Sequence, residues 1–372
     1  MGAPKMLFIG LLSGTSLDSI DVGLFEFTPT GTLTKATLSY PIPWDFKQEC
    51  LKLTLNSEIN LIKFGQLNIQ AAHVFAAAVK EFLRSYNLDA KQITAIGFCG
   101  QNIQHHNGLS PYKFSIQIGD QFTLAKLSEI DVIGEFRQRD IANGHQGAPL
   151  APYFHQAMFS DPNVTRFIVN LGGISNISIL PANNTPKDFI GYDIGPANCL
   201  LDEWMQLHFN CEFDEDGIIS ASGTVDSALL EALLSDPYFN QKIPKSTGRE
   251  YFNLAWVELR FPSLDQLSKV DVAATLLELT SITIAQAILH YLQDNASPQT
   301  KTAAASQVYL CGGGAHNKYL QKKLTKLLEL EVETTAKLGF EPAWVEAGLF
   351  AWLAFASMTD DHFEPKGAIW PH

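Results

Sequence analysis

A strand–turn–strand pattern with a turn of small polar residues occurs twice in this chain of 372 residues. The first copy is GLLSGTSLDSIDVGLFEF at residues 10–27, and the second is RFIVNLGGISNISIL at residues 166–180. In both copies an apolar strand enters a turn rich in Gly, Ser, Thr or Asn, and a second apolar strand follows. The copies start about 155 residues apart, near the beginnings of two halves, so we expect two related domains.

The two turns have the composition of an anion-binding backbone. Glycine, serine and threonine in a tight turn expose successive N–H groups, and such a nest suits the terminal phosphates of a nucleotide. Asp18 and Asp21 follow the first turn closely enough to hold a hydrated Mg²⁺. An ordinary β-hairpin with a Ser/Thr turn explains the first copy alone equally well. The recurrence of the pattern favours the nucleotide.

A third glycine-rich segment, CGGGAHN, occupies residues 311–317. It follows the strand-like SQVYL and precedes the helix-like NKYLQKKLTKLLEL. A glycine turn between a strand and a helix lets a ligand come close to backbone amides. The segment is therefore a further candidate for nucleotide binding.

Charge and composition restrict the class of protein. The formal net charge is −13, from 26 basic and 39 acidic residues. A nucleic-acid partner is not expected, because a phosphate backbone requires a basic face. Five scattered cysteines without a CxxC spacing are typical of reduced thiols. No apolar run reaches the length of a membrane span, so we expect a cytoplasmic protein that binds small molecules.

Strand-like and helix-like segments alternate, which predicts an α/β fold with mixed or parallel sheets. Residues 60–86 have apolar residues at helical spacing and predict a long helix. Further strands are predicted at 32–44, 93–100, 114–120, 132–136 and 189–195. Further helices are predicted at 197–209, 225–235, 271–294, 317–330 and 344–358. The polar stretch 137–155 lacks clear periodicity and predicts the connection between the domains.

Two polar segments of the first half contain candidate ligand-binding residues. Gln101 and Asn102 follow a short buried strand, where ligands of open α/β sheets bind, and their amides can donate to and accept from sugar hydroxyls. A loop whose polar groups bond one another would look the same. Arg137, Arg139 and Asp140 lie at the predicted domain junction. Arginine suits carboxylate or phosphate binding, and a salt bridge to Asp140 between the domains is an equal alternative.

The second half contains candidate carboxylates. Asp193 ends a strand in a Gly/Pro turn, where a rigidly held carboxylate is well placed as a general base. A turn or cap aspartate is the alternative. Glu346, in an apolar helix, either ends a core helix or reaches the ligand. The loop KSTGRE at 245–250 is an exposed lid edge, a subunit contact or part of a site, and the sequence does not choose among these.

Nine strings, in order over nearly the whole chain, resemble the anhydro-N-acetylmuramic acid kinases of the sugar kinase/heat-shock 70/actin superfamily. They are SGTSLDSID (13–21), GQNIQHH (100–106), QIGD (117–120), FRQRDIANGHQGAPL (136–150), NLGGISN (170–176), GYDIGPAN (191–198), KSTGRE (245–250), CGGGAHN (311–317) and WVEAGLFAWLA (344–354). The resemblance implies two related actin-like (ribonuclease H-like) α/β domains with a nucleotide cleft between them. It implies an N-terminal domain at 1–140 and a C-terminal domain, with the adenosine loop, at 141–357. The tail at about 358–372 would pack back onto the first domain.

The resemblance also implies an activity. Family members use ATP and water to convert 1,6-anhydro-N-acetylmuramic acid into N-acetylmuramic acid 6-phosphate, in the recycling of bacterial cell-wall peptidoglycan. Asp193 would activate the water that attacks the anomeric carbon, and the freed 6-oxygen would take the γ-phosphate, with Mg²⁺ and backbone amides neutralising charge. The positions that would bind ATP are Ser13, Gly14, Thr15, Ser16, Leu17, Asp18, Ser19, Ile20, Gly172, Gly173, Gly312, Gly313 and Gly314. Those that would bind the sugar are Gln101, Asn102, Arg137, Arg139, Asp140 and Glu346.

Three residues depart from the family pattern and bear on substrate preference rather than on reaction class. Ser19 and Ala197 stand where glycine is usual, and Asn102 stands where threonine is usual. One alternative is another kinase of the superfamily, which phosphorylates a sugar or small acid without opening a ring. A nucleotide-dependent assembly protein is a second alternative, although it would not need the Gln-Asn and Arg-Arg-Asp segments. The sequence is compatible with a homodimer without requiring one.

Overall fold

The computed structural model describes residues 6–14, 17–28, 31–55, 59–106, 112–182, 189–295, 305–363 and 366–372. Backbone contacts divide the chain into two compact units. Unit 1 comprises Met1–Leu150 and Trp344–His372, and unit 2 comprises Ala151–Ala343. Each unit contains its own sheet and its own apolar core.

Unit 1 is built on a six-stranded sheet with the strand order β13-β7-β4-β1-β2-β3. Its strands are β1 (Met6–Ser13), β2 (Ser19–Thr28), β3 (Gly31–Pro41), β4 (Ala95–Phe98), β7 (Val132–Gly134) and β13 (Ala368–Trp370). The first three form an antiparallel meander, whereas β4 runs parallel to β1 and β7 runs parallel to β4. A separate antiparallel pair consists of β5 (Gln101–His106) and β6 (Phe114–Ile118).

The first hairpin of the sequence is the pair β1–β2, whose last ladder position before the turn joins Ser13 to Ile20. Both strands are buried along most of their length. The predicted long helix is confirmed as α2 (Leu61–Ser85), which packs Phe75 and Phe82 into the same core as Ile9 of β1. The other helices of this unit are α1 (Trp44–Leu55), α3 (Gln121–Ser128), α4 (Phe136–Ala142) and α12 (Val345–Thr359).

The boundary predicted at residue 357 differs from the observed one, because α12 belongs to unit 1. A Cβ added to Gly10 of β1 would collide with the backbone of Ala347, and one added to Gly97 of β4 would collide with the backbone of Phe350. Glycine at these two positions lets the helix lie directly on the sheet. Its apolar sequence is therefore that of a helix buried against strands that precede it by hundreds of residues.

The C-terminal residues complete the same sheet. Strand β13 pairs antiparallel with β7, joining Ala368 to Gly134 and Trp370 to Val132. The backbone N–H of His372 donates to a carboxylate oxygen of Asp131 at 3.0 Å. The tail is thus an edge strand of unit 1, which is where the resemblance implies that it packs.

Unit 2 has a five-stranded sheet with the order β10-β9-β8-β11-β12. Its strands are β8 (Val164–Leu171), β9 (Ile174–Leu180), β10 (Ile190–Pro196), β11 (Ala305–Cys311) and β12 (Val332–Thr334). Its helices are α5 (Ala151–Phe159), α6 (Asn198–Phe209), α7 (Ile218–Ser222), α8 (Ser227–Leu234), α9 (Leu254–Arg260), α10 (Lys269–Asp294) and α11 (Lys318–Leu328). β8, β9 and β10 form an antiparallel meander, and β11 and β12 continue parallel to β8.

The two sheets therefore share one plan. In each, a meander of three consecutive strands is followed by two parallel strands on the side of its first strand. The recurring hairpins of the sequence are the first two strands of each meander. The predicted α/β fold with two related units is confirmed by this common order.

One helix of unit 2, α10, is long and apolar enough to cross a membrane. Within the protein, most of its apolar stretch is buried. Its residues Leu276, Leu279 and Ile284 belong to the core of the unit. Such burial is typical of a core helix rather than of a span that faces lipid.

The stretch 137–155, predicted as an irregular connection, is largely helical. It contains most of α4 and the first part of α5, and only residues 143–150 separate the two helices. The helical periodicity of α4 is weak in the sequence because the helix is short and half polar, but the predicted connection does contain the boundary between the units. The unit boundary at Leu150 and Ala151 lies at the start of α5.

Candidate active site

The second glycine turn, Gly172–Gly173, joins β8 to β9 and also contacts the start of α6. The carbonyl oxygen of Gly173 accepts from the backbone N–H groups of Ala197 and Cys199, both at 3.0 Å. The carbonyl oxygen of Gly172 accepts from the backbone N–H of Asn198 at 3.1 Å. These bonds fix the turn to the helix, so its backbone geometry is held before any ligand arrives.

The third glycine segment lies beside this turn. Strands β8 and β11 are parallel neighbours, with Asn170 opposite Cys311, so their carboxyl ends reach the same edge of the sheet, where α/β proteins bind ligands. A Cβ on Gly314 would come within 2.7 Å of the Asn198 side-chain oxygen, and one on Gly312 within 2.9 Å of the Leu171 carbonyl oxygen. The structure thus brings together two glycine segments that are about 140 residues apart in the sequence.

Gly313 differs from its two neighbours, because a Cβ added there meets no atom within 4 Å. Its backbone faces open space and is accessible to a ligand. Gly312, Gly313 and Gly314 therefore combine a tight contact with the sheet edge and one open backbone position. This combination fits a flat group such as a nucleoside that approaches the chain closely.

Asp193 lies in β10 at a β-bulge, because it is opposite Asn176 whereas Gly195 is opposite Ser175. Bulges redirect side chains and are frequent next to active sites. The backbone N–H of Asp193 donates to the carbonyl oxygen of Lys245 at 2.9 Å. The backbone N–H of Thr247 donates to the Asp193 carboxylate oxygen Oδ2 at 3.0 Å. The segment 245–247 thus holds both the backbone and the carboxylate of Asp193.

Tyr238 supplies a third contact to the same residue. Its hydroxyl donates to the carbonyl oxygen of Asp193 at 2.7 Å. Burial and then the charge of Asp193 raise the pKa of Tyr238 far above its usual range, so the hydroxyl remains a donor. The ammonium of Lys245 lies 4.4 Å from the centre of the Tyr238 ring and donates to the carbonyl oxygens of Tyr238 and Phe239 at 2.9 and 3.1 Å. Burial lowers the pKa of Lys245.

A buried aspartate anchors this region. Asp236 is 1% exposed, and its carboxylate accepts from the backbone N–H of Tyr238 at 2.7 Å and from the Trp256 indole at 2.9 Å. It also accepts from the Tyr251 hydroxyl at 3.0 Å and pairs with Arg260. A buried carboxylate with this many donors is fully satisfied. Asp236 therefore acts as a structural support for Tyr238 and, through it, for Asp193.

The first glycine turn, in unit 1, is described only in part. Ser13 and Gly14 precede it, and Leu17, Asp18, Ser19 and Ile20 follow it, whereas Thr15 and Ser16 lie outside the described residues. The backbone N–H of Leu17 donates to the Gly14 carbonyl oxygen at 3.1 Å, and Leu17 has a φ of +55°. This hydrogen bond places Leu17 close to Gly14 on the two sides of the turn. Its role in binding phosphate stays a prediction.

The predicted Mg²⁺ ligands each have partners within unit 1. Asp18 is largely exposed and forms an ion pair with Lys47 at 2.9 Å. Asp21 accepts hydrogen bonds from Ser39 at 2.7 Å and Ser19 at 3.1 Å, and burial raises its pKa. Among the described residues, no group of three or more His, Cys, Asp and Glu is arranged to hold a metal. These two carboxylates therefore do not fit a preformed metal site of the protein.

The predicted sugar-binding amides lie in a half-buried polar network of unit 1. The Gln117 side-chain amide donates to the Asn102 side-chain oxygen at 2.9 Å, and the Gln138 amide donates to Gln117 at 2.8 Å. His105 contacts Ser115 at 3.1 Å. Burial, and then the charge of Arg137, lower the pKa of His105 to about 4, so its ring is neutral.

Within the part of the chain that the structure describes, three polar atoms near this network are buried without a hydrogen-bond partner. They are the Gln101 side-chain oxygen Oε1, the His105 ring nitrogen Nε2 and the Arg137 nitrogen Nε. Buried polar atoms are normally satisfied, and several unsatisfied ones in one polar segment are typical of a place where a polar ligand completes the bonds. Gln101 itself is only 1% exposed.

Arg137, Arg139 and Asp140 all lie within α4. Asp140 is 4% exposed and accepts from the Gly147 N–H at 2.8 Å and contacts His145 at 3.0 Å. The Arg137 guanidinium donates to the Gly147 carbonyl oxygen at 3.1 Å. Arg139 lines a shallow groove with Gln138. Asp140 thus organises the loop after α4, and its assignment to the sugar stays a prediction.

Glu346 lies in the first turn of α12 and is exposed. A carboxylate in the first turn of a helix is stabilised by the positive end of the helix dipole. The sequence offered both an end-of-helix role and a ligand role for Glu346. Its place in the structure agrees with the first without testing the second.

Sequence reasoning did not assign roles to Tyr238 or Thr247. Tyr238 lies in the segment DPYFN, and Thr247 acts through its backbone N–H, which any residue except proline has. Their contacts to Asp193 depend on residues that are 45 and 54 positions away. The motif KSTGRE was visible in the sequence, but only the fold shows that its residues Lys245 and Thr247 hydrogen-bond to Asp193.

Comparison with known proteins identifies relatives over nearly the whole chain. A family model described as anhydro-N-acetylmuramic acid kinase matches residues 6–361. The protein of that name from Shewanella pealeana is 43% identical over 350 residues, which are 93% of this chain and 90% of that protein. The one from Pseudomonas savastanoi pv. phaseolicola is 43% identical over 348 residues, with coverages of 93% and 91%. The one from Coxiella burnetii is 40% identical over 353 residues, with coverages of 94% and 91%.

Among solved structures, the activator of the 2-hydroxyisocaproyl-CoA dehydratase from Clostridium difficile with bound ADPNP is similar over 98% of this chain and 100% of that chain. The sequence identity is 13% and the TM-score is 0.47. The sequence relatives are far closer, and they confirm the resemblance drawn from the nine motifs. The chain belongs to the anhydro-N-acetylmuramic acid kinase family.

Proposed function

We propose that this protein is an ATP-dependent kinase that opens 1,6-anhydro-N-acetylmuramic acid with water and phosphorylates it to N-acetylmuramic acid 6-phosphate. The role would be peptidoglycan recycling in the cytoplasm. Membership of the family supports the reaction. The structural observation that carries it is the fixed carboxylate of Asp193, held by Thr247 at the bulge of β10, in the sheet that also bears Gly172–Gly173.

The proposed chemistry needs one general base and breaks two bonds, one in the sugar and one in ATP. Asp193 accepts a proton from water, and the water oxygen bonds to the anomeric carbon C1. The C1–O6 bond breaks, and its electron pair stays on O6. O6 then attacks the γ-phosphorus of ATP, the bond between that phosphorus and the bridging oxygen breaks, and ADP leaves. The proton taken by Asp193 is released to solvent afterwards.

The glycine segments of unit 2 supply the nucleotide contacts in this proposal. Gly172–Gly173 would bind phosphate oxygens, and the open backbone at Gly313 would lie against the adenosine. Ser13–Ile20, the segment around the first glycine turn in unit 1, would also bind phosphate. When bound, Mg²⁺ neutralises charge on the phosphates. Since Asp18 and Asp21 already have partners in unit 1, we infer that the metal enters with ATP and is held chiefly by phosphate oxygens and water.

The unsatisfied atoms of unit 1 match the polar groups of the proposed sugar. Gln101 Oε1 accepts hydrogen bonds, whereas Arg137 Nε donates them. A neutral His105 donates or accepts at Nε2 according to its tautomer. The anhydro-sugar offers hydroxyl and acetamido groups and a carboxylate, which can satisfy all three. Arg139, Asn102, Asp140 and Glu346 remain candidate contacts of the same ligand.

A coupled assay of ADP release with three sugars tests the proposal. The anhydro-sugar should support turnover that N-acetylmuramic acid and N-acetylglucosamine do not support. Mass spectrometry should find one phosphate and one added water in the product. Equal turnover of the plain sugars would favour a kinase that opens no ring. ATP hydrolysis unaffected by any sugar would favour an assembly ATPase.

A further inference from the structure

Arg249 follows the segment 245–247, which holds the backbone and the carboxylate of Asp193. Its backbone is fixed on both sides. Thr247, two residues before it, donates to the Asp193 carboxylate. The side-chain amide of Asn253, which caps α9, donates to the Arg249 carbonyl oxygen at 3.3 Å. The side chain therefore starts from a rigid position in unit 2.

The guanidinium of Arg249 lies against the second glycine turn. A Cβ built on Gly173 would come 2.8 Å from Nε and 3.5 Å from Nη2 of Arg249. Any residue larger than glycine at position 173 would displace the arginine. The turn and the side chain thus form one surface in which backbone amides and a cation are adjacent.

The charge of Arg249 also reaches the start of α6. Burial raises the pKa of the Cys199 thiol to about 12, and the Arg249 charge is the largest influence in the opposite direction. Cys199 is the second residue of α6 and donates its backbone N–H to Gly173. Arg249, the glycine turn and the helix start are therefore mutual neighbours.

Arg249 is the arginine of unit 2 whose charge the described residues do not balance. Arg166 pairs with Asp161 at 3.1 Å, and Arg260 pairs with Asp236. No ion pair joins Arg249 to a carboxylate in the described part of the chain, and its Nε atom is buried without a hydrogen-bond partner. A buried guanidinium nitrogen in this condition is costly unless an acceptor completes its bonds.

We propose that Arg249 binds the terminal phosphates of ATP over Gly173 and neutralises the phosphoryl group during its transfer. The fork of the guanidinium matches two phosphate oxygens at once. In phosphoryl transfer, an arginine at this place stabilises the charge that spreads over the phosphate oxygens. It exchanges no proton and forms no covalent bond. This role rests on the proposed kinase function and adds a residue to it.

The test compares Arg249→Gln and Arg249→Lys with the parent, using calorimetric titration of ATP, ADP and AMP. In Arg249→Gln, ATP affinity should fall roughly 10- to 100-fold, the range of a charge-assisted hydrogen bond, whereas AMP affinity should change less than twofold. Turnover with the anhydro-sugar should fall more than ATP affinity does. Arg249→Lys should recover part of the affinity for ATP because it restores the charge without the fork. Lys242→Gln, an exposed change in the same loop, is the control.

Two results would overturn the proposal. The first is an Arg249→Gln variant with ATP affinity and turnover within twofold of the parent. The second is an equal loss of ATP and AMP affinity together with a lower melting temperature, which would make Arg249 a structural residue. A parent protein that distinguishes ATP from AMP through Arg249 but does not phosphorylate the anhydro-sugar would contradict the proposed substrate and leave the phosphate contact standing.

Discussion

The hydroxyl of Tyr238 donates a 2.7 Å hydrogen bond to the backbone carbonyl oxygen of Asp193. The same aspartate is held through its N–H by Lys245 and through its carboxylate by Thr247. Three contacts from one loop thus fix a residue on a bulged strand. A base must be placed to within a fraction of an ångström to act efficiently. The loop 238–249 is accordingly as important to the proposed reaction as the strand that carries Asp193.

Replacing Tyr238 with phenylalanine removes only the hydroxyl. The Asp193 carbonyl oxygen then loses a buried donor, which should lower the free energy of unfolding by about 1–3 kcal/mol. Turnover should fall roughly tenfold because the base is less well positioned, while the Michaelis constant for ATP stays within twofold. Chemical denaturation and steady-state kinetics measure the two effects.

A matched control for that variant is Tyr86→Phe. The Tyr86 hydroxyl also donates to a backbone carbonyl, that of Thr37 at 2.6 Å, but Tyr86 is 44% exposed and lies in unit 1. Its turnover should equal that of the parent. If Tyr238→Phe also retains full turnover on a correctly folded protein, the bond to Asp193 has no part in positioning the base.

Replacing Gly313 with valine tests the nucleotide contact. A side chain at this position meets no atom within 4 Å, so the melting temperature should change little. The valine would occupy the space that the adenosine needs, and ATP, ADP and AMP affinities should all fall at least tenfold, a loss of about 1.4 kcal/mol. Calorimetric titration with AMP measures this without turnover.

The control for Gly313 is Gly65→Ala, in an exposed turn of α2 with equally open surroundings. Alanine in a helix is favoured over glycine by roughly 0.5–1 kcal/mol, so this variant should be slightly more stable and bind nucleotides normally. Unchanged AMP affinity in Gly313→Val would remove the third glycine segment from the nucleotide site.

Local patterns predicted the elements that carry strong periodicity or glycine turns. The hairpins at 10–27 and 166–180, the helix α2 and the strand that contains Asp193 are all present, although Asp193 lies at a bulge inside β10 and not at its end. Each is encoded by neighbours within about 25 residues. The convergence of Gly172–Gly173 with Gly312–Gly314 followed from the resemblance, and the parallel pairing of β8 with β11 gives its physical basis.

The features that could not be predicted depend on contacts between distant segments. The assignment of α12 to unit 1 rests on Gly10 and Gly97, which precede it by more than 240 residues and have no helix signal of their own. The roles of Tyr238 and Thr247 rest on a hydroxyl and a backbone N–H that form no motif. Periodicity reports which face of an element is buried, but not which distant element covers it.

Two histidines that are neutral in the folded protein, one buried and one half-buried, should make stability depend on pH. Burial lowers the pKa of His155 from 6.5 to about 3, and burial, followed by the Arg137 charge, lowers that of His105 to about 4. Below pH 6.5 the unfolded chain binds protons that the folded chain does not, so the free energy of unfolding falls as the pH falls from 6.5 towards 4. Each histidine contributes a slope of up to ~1.4 kcal/mol per pH unit.

The variant His155→Gln separates this effect from other titrations. His155 is 1% exposed and contacts Ser178 at 2.8 Å, so the variant should be less stable at pH 7.5. Its pH slope between 6.5 and 5 should nevertheless be smaller than that of the parent by about one proton. Urea unfolding at four pH values gives the slopes. Parallel curves for the parent and the variant would show that His155 is protonated equally in both states.

Replacing Asp193 with asparagine tests the base directly. Asparagine keeps the shape, and its side-chain oxygen can still accept the Thr247 N–H, but it cannot take a proton from water. Turnover should fall by about 10²–10⁴-fold, the usual contribution of a positioned base. ATP affinity should be retained because the glycine segments are untouched. If Asp193 only shapes the strand, the variant will be less stable and nearly as active per folded molecule.

The deciding measurement for Asp193 is single-turnover product formation with saturating ATP and anhydro-sugar, on protein shown by calorimetry to bind ATP. Asp202→Asn is a matched change at a half-buried position of α6, and it should keep full activity. A rate for Asp193→Asn within a few-fold of the parent would remove this residue from the mechanism. Glu346 would then be the next candidate, since the sequence assigns it a sugar-binding role and the structure leaves it exposed at the start of α12, whereas the sugar-binding candidate Asp140 is 4% exposed.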